Sequence, residues 1–96
     1  MDYRLSNKAE QYLRRIYQYS LQNFGDSQAV AYLTGIEEAI QLVANNDALA
    51  QRVDDIRKGY SRYFNQEHVI YFQNKKTHIL VVRVLHQQMK VSLHIE

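Results

Sequence analysis

The run Ile79-Leu80-Val81-Val82-Arg83-Val84-Leu85-His86 decides how this chain folds. Apart from Arg83 and His86 it is aliphatic and mostly β-branched, the composition of a pleated strand. Apolar side chains occupy both of its faces, so it must lie inside a sheet and not at an edge. Upstream, Asn74-Lys75-Lys76 reads as a turn, and His68-Val69-Ile70-Tyr71-Phe72 is a second strand rich in β-branched and aromatic residues. Before it, Val53 and Ile56 lead through Arg57-Lys58-Gly59 into Tyr60-Ser61-Arg62-Tyr63-Phe64, a third. Three consecutive strands joined by short turns form an antiparallel meander.

The first half has helical periodicity. Ala9, Tyr12, Leu13, Ile16, Tyr17, Ser20, Leu21 and Phe24 recur every three or four residues. Ser6 and Asn7 offer capping oxygens at its start, and Asn7 with Glu10 has the spacing of a capping box. Gly25 suits the end of this helix. Asp26 is expected to cap a second helix with a stripe of Ala29, Val30, Leu33, Ile36, Ala39, Ile40 and Val43. Gly35 within it offers close packing on the first helix, and Asn45-Asn46-Asp47 ends it. So short a link makes the helices an antiparallel hairpin. Tyr3-Arg4-Leu5 adds a further strand at one side of the sheet. The expected fold is α+β: a helical hairpin packed on a small antiparallel sheet, in the order β-α-α-β-β-β.

Composition sets the outer limits. With 96 residues, 46% hydrophobic and 23% charged, the chain is expected to form one domain over 1–96. It has no Cys, so disulfides, thiolate metal sites and thiol nucleophiles are excluded. The absence of a long apolar run or an apolar leader points to a cytoplasmic protein without a membrane span. The net charge of +2 divides unevenly: residues 1–50 carry −2 and residues 51–96 carry +4, with all four His in the second half. A basic half points to an anionic partner, nucleic acid or an acidic protein segment, or else to a solvated surface.

Recognised catalytic motifs are missing: there is no Gly-rich phosphate loop, Gly-x-Ser-x-Gly or His-Glu-x-x-His. The His spacings give no compact ligand pair, and Glu37-Glu38 splay apart on a helix, so no metal or cofactor is expected. What remains is Arg57, Lys58, Arg62, His68, Arg83 and His86 on neighbouring strands. A buried Arg83 needs a carboxylate such as Asp54 or Asp55, a carbonyl or a ligand. His86 reads as a core histidine, an anchor for the C-terminal tail, or a general acid–base group. Tyr60, Tyr63 and Tyr71 offer sheet packing or stacking surfaces.

These residues also carry a resemblance. The element order resembles the RelE/ParE superfamily of toxins from bacterial toxin–antitoxin pairs. Ile56-Arg57-Lys58-Gly59-Tyr60, His68-Val69-Ile70-Tyr71-Phe72 and Arg83-Val84-Leu85-His86-Gln87-Gln88-Met89 are similar to the three segments typical of the ParE branch. The chain departs from that pattern at Ser61, where Arg is usual, with Arg62 one later. It departs again at the order Tyr71-Phe72, at Lys90 after the Met, and at Asn46-Asp47 where Asn-Pro is usual.

The resemblance implies a toxin that binds DNA gyrase, traps its cleaved-DNA complex and is neutralised by a cognate antitoxin protein. Implied target-binding residues are Arg57, Lys58, Tyr60, Arg62, His68, Arg83, His86, Met89 and Lys90. No direct sequence-specific binding of nucleic acid is implied. The RelE branch instead cuts mRNA on the ribosome, and on that reading Arg57, Arg62, Arg83, His86 and His94 would be catalytic. The last tyrosine is Tyr71, so the C-terminal Tyr common in that branch is missing. Ser61 and Lys90 leave open a third reading, a member that binds antitoxin without being toxic.

Overall fold

The apolar run forms a strand over His78–His86, the fifth and longest among the described residues (β5). The computed structural model describes residues 2–88; Met89, Lys90 and His94 lie outside them. Before β5 come β1 (Asp2–Leu5), α1 (Asn7–Phe24), α2 (Asp26–Asn45), a 3-10 turn (Asp47–Leu49), β2 (Gln51–Arg52), β3 (Tyr60–Asn65) and β4 (His68–Asn74). The sheet order is β1-β5-β4-β3-β2. The architecture is thus the α+β arrangement expected, with β5 internal. Two details differ from the sequence reading. β1 joins β5 in parallel, so the sheet is mixed, and the two-residue β2 adds a fifth strand.

β5 is not a regular strand. Tyr71 on β4 faces Arg83, but the next residue, Phe72, faces Val81, leaving Val82 as an extra residue in β5. Such a bulge resets the alternation of faces. Ile79 and Val81 therefore share the helix-side core with Val84, three residues beyond, while Leu85 joins a second cluster on the other side. The main core sets Ile36, Ile40 and Val43 of α2 and Ala9 and Leu13 of α1 against Ile70, Phe72, Ile79, Val81 and Val84. Each large side chain so buried contributes roughly 1.5–3 kcal/mol. The second cluster is Val53, Tyr60, Val69, Tyr71 and Leu85, with Ile56 folded against it. The segment leading to β3 therefore packs on the far face of the sheet.

The helix ends correct three local expectations. Ser6, not Asn7, caps α1: its Oγ accepts from the Ala9 N–H at 3.1 Å and donates to the Val82 carbonyl at 2.6 Å. Glu10 forms no capping box and pairs instead with Arg14. Gly25, at φ +87°, ends α1 and begins α2, while Asp26 sits inside the first turn with no capping bond. A positive φ of that size suits glycine. At Gly35 an added Cβ would meet nothing within 4 Å, so no close helix contact depends on it. Val30, placed in the buried stripe by periodicity, is 52% exposed.

Because Ser6 both caps α1 and ties it to the bulge, Ser6→Ala should cost about 1–2 kcal/mol in urea unfolding. Asn7→Ala should change stability by less than about 0.5 kcal/mol. Equal effects would contradict this assignment of the cap.

Candidate functional site

The candidate residues separate into two groups. Arg57 and Lys58 are exposed in the segment between β2 and β3, and Arg52 lies exposed on β2. Asp54 organises this segment. It takes the Gly59 N–H at 2.8 Å and pairs with Arg52 at 3.3 Å. The Gly59 bond and then the Arg52 bond hold its carboxyl below the ordinary carboxylate range. Arg62, half-buried on β3, reaches Gln51 at 3.2 Å and lies 5.1 Å over the ring of exposed Phe64. Tyr60 is buried in the second cluster and offers no surface for stacking.

The other group gathers where β4 and β5 meet the helices. His68 and His86 face one another across the two strands, their rings edge-to-face at 5.6 Å. His68 is 5% exposed. Its Nδ1 shares a hydrogen bond of 2.7 Å with the Tyr32 hydroxyl of α2, and Tyr12 of α1 packs edge-on against its ring. Burial, and then the neighbouring His86, push His68 below its ordinary value, with Glu67 opposing. His86 is half-buried. Its Nδ1 accepts from the Gln88 N–H at 3.2 Å, and its Nε2 lies 3.9 Å from Glu67. The Gln88 bond ties His86 to the turn that follows β5; the C-terminal tail that His86 is expected to anchor lies outside the described residues. Arg83 is half-buried, and among the described residues no carboxylate pairs with it; Asp54 is engaged by Arg52 and Gly59.

Above His68 lies a groove of about 610 Å³. Tyr12, Ile16, Tyr19, Phe24, Ala31 and Tyr32 of the hairpin form its apolar walls, and Arg15 and Glu67 mark its rim. Tyr19 and Phe24 are 64% and 60% exposed and pack edge-to-face at 6.5 Å. The sequence reading missed this groove. Tyr12, Ile16 and Phe24 follow the same three- and four-residue spacing as the buried face of α1, so periodicity alone does not separate a groove wall from a core. A surface of this kind receives an apolar-anchored helix or strand of a partner.

Comparison with known proteins decides the family. The sequence pattern of the "ParE toxin of type II toxin-antitoxin system, parDE" matches residues 3–91. The chain belongs to the ParE toxin family. It is 32% identical over 93 residues to toxin ParE1 of Caulobacter vibrioides, covering 97% of this chain and 96% of the relative. It is 34% identical over 91 residues to toxin ParE1 of Mycobacterium tuberculosis, covering 94% and 93%. A solved structure described as the chromosomal ParDE TA system from P. aeruginosa has the same fold. Its TM-score is 0.75 at 18% identity, covering 90% of this chain and 95% of that one. The ParE-like segments therefore fall on the far-face loop at Arg57-Lys58, on β4, and on the end of β5.

His68 makes the helix–sheet contact sensitive to pH. Because its folded value is depressed, the unfolded chain binds the proton more readily. Stability should be full above about pH 6.5 and decline as the pH falls below it, until the folded ring itself titrates. Urea midpoints measured from pH 8 to pH 5 should show this decline. His68→Gln should flatten it. Tyr32→Phe should cost about 1 kcal/mol at pH 7.5. A wild-type profile as flat as that of His68→Gln would contradict the assignment.

Proposed function

We propose that this ParE-family chain is a single toxin domain acting in the cytoplasm, which binds DNA gyrase, traps its cleaved-DNA complex and so blocks replication. It acts by binding and not by turnover. The observation that carries this reading is the match of residues 3–91 to the ParE family, including the Ile56–Tyr60 and Arg83–Gln88 segments. The exposed pair Arg57 and Lys58, held up by the Asp54–Gly59 bond, supplies a cationic contact for the target. Against message cutting stands Tyr71, the last tyrosine of the sequence, which is buried within the sheet and unavailable to stack on a base.

The neutralising partner is an antitoxin that lays an apolar-anchored segment along the hairpin groove. The exposed Tyr19–Phe24 pair and the groove volume support that surface. Such a partner segment folds as it binds. The solved structure described as a ParDE TA system supports an antitoxin as the partner.

The gyrase reading is tested with purified chain, gyrase and supercoiled plasmid. Cleaved DNA should accumulate. Arg57→Ala with Lys58→Ala should weaken trapping by about tenfold or more, as expected when cations central to an interface are removed. Normal supercoiling with the chain in excess would overturn the gyrase reading. Cuts in the message on stalled ribosomes would replace it with the ribonuclease reading.

A further inference from the structure

A second, smaller groove lies between α1 and the end of β5. β1 pairs with β5 only as far as Val81. Beyond that point the side of β5 turned from β4 faces α1, across a cleft of about 210 Å³. Lys8, Gln11, Tyr12 and Arg15 of α1 line it on one side and Arg83 on the other. No carboxylate is among the described residues lining it, and Lys8, Arg15 and Arg83 pair with none among the described residues. The nearby acid of α1, Glu10, is taken by Arg14. A half-buried guanidinium without a protein counter-ion is costly, and two further cations beside it raise that cost. An anion in the cleft relieves all three.

We propose that this cleft binds the phosphodiester backbone of nucleic acid, without reading its bases. Lys8 and Arg15 are seven residues apart on one face of α1, about 10 Å along the axis. The cleft offers guanidinium and ammonium donors but few apolar anchors, which suits a phosphate better than an acidic peptide. The aromatic groove on the other side of Tyr12 has the opposite character. This inference goes beyond the gyrase reading and stands without it, since the cleft would meet free nucleic acid as well as DNA held by another protein.

The test is fluorescence anisotropy of the full chain with a labelled mixed-sequence DNA duplex and its single strand, across a salt series. Binding should be independent of sequence, and its logarithm should fall with log salt at a slope of about −2 to −3 for the duplex. Lys8→Gln with Arg15→Gln, both exposed and neutral to folding, should lose about tenfold in affinity at low salt and flatten the slope by about two. Lys75→Gln with Lys76→Gln, in the distant β4–β5 turn, should retain binding. Equal loss in the two double variants would reduce the effect to general positive charge and overturn the proposal. So would absence of salt-dependent binding at about 100 μM chain, the weak end of ordinary non-specific affinity. Poly-glutamate displacing the DNA at equal charge concentration would instead assign the cleft to an acidic protein segment.

Discussion

The structure depends on one irregularity, the extra residue Val82 in β5. Before the bulge, β5 pairs with β1 and buries Ile79 and Val81 under the helices. After it, the alternation is reset, so that Val84 also faces the helices and Leu85 the far side. A regular strand would put Val81 and Val84 on opposite faces. Ser6 fixes the same place from the other side: its hydroxyl caps α1 and bonds the Val82 carbonyl. Helix start, strand irregularity and the end of β1 are thus one joint.

That joint sets what the surface can do. Because β1 stops at Leu5, the end of β5 opens toward α1, leaving Arg83 beside Lys8 and Arg15. Because the reset carries His86 across from His68, the two rings meet beneath the hairpin and Tyr32 and Tyr12 close over them. The hairpin is longer than the sheet needs, and its surplus end supplies the exposed aromatics Tyr19 and Phe24. One side of Tyr12 is therefore apolar and the other cationic. The Arg57-Lys58 segment is separate from both, stabilised by Asp54 and by Ile56 packed on the far face.

Much of this was legible in the sequence, for physical reasons. Long periodic segments announce their own structure, so α1, α2 and the three main strands were readable to within a few residues. The order of elements and the interior position of β5 followed from its apolar faces. The parallel pairing of β1 was not legible, since three residues of alternation carry no direction. The bulge was not legible either, because Val81-Val82 reads the same with or without it. The site was legible as residue types but not as groupings. Arg57, Arg62, His68, Arg83 and His86 look like one constellation in sequence, yet the sheet divides them among a far-face loop, the β3 strand beside Gln51, a histidine pair of which only His68 is buried, and a cleft edge. Of the two readings of Tyr60, sheet packing and a stacking surface, its burial leaves sheet packing. The aromatic groove was not legible because Tyr12, Ile16 and Phe24 share the spacing of a core, while Tyr19, Ala31 and Tyr32 are joined to them only by the pairing of the two helices.

The central claim is that this ParE-family chain is a toxin held in check through the hairpin groove. It is tested most directly by growth of bacteria in which the chain is induced alone or together with its cognate antitoxin. The account predicts arrest with the chain alone and recovery with the partner. It also predicts renewed arrest when Tyr19→Ser and Phe24→Ser remove the groove's aromatic rim. Normal growth with the chain alone, at confirmed expression, would contradict it.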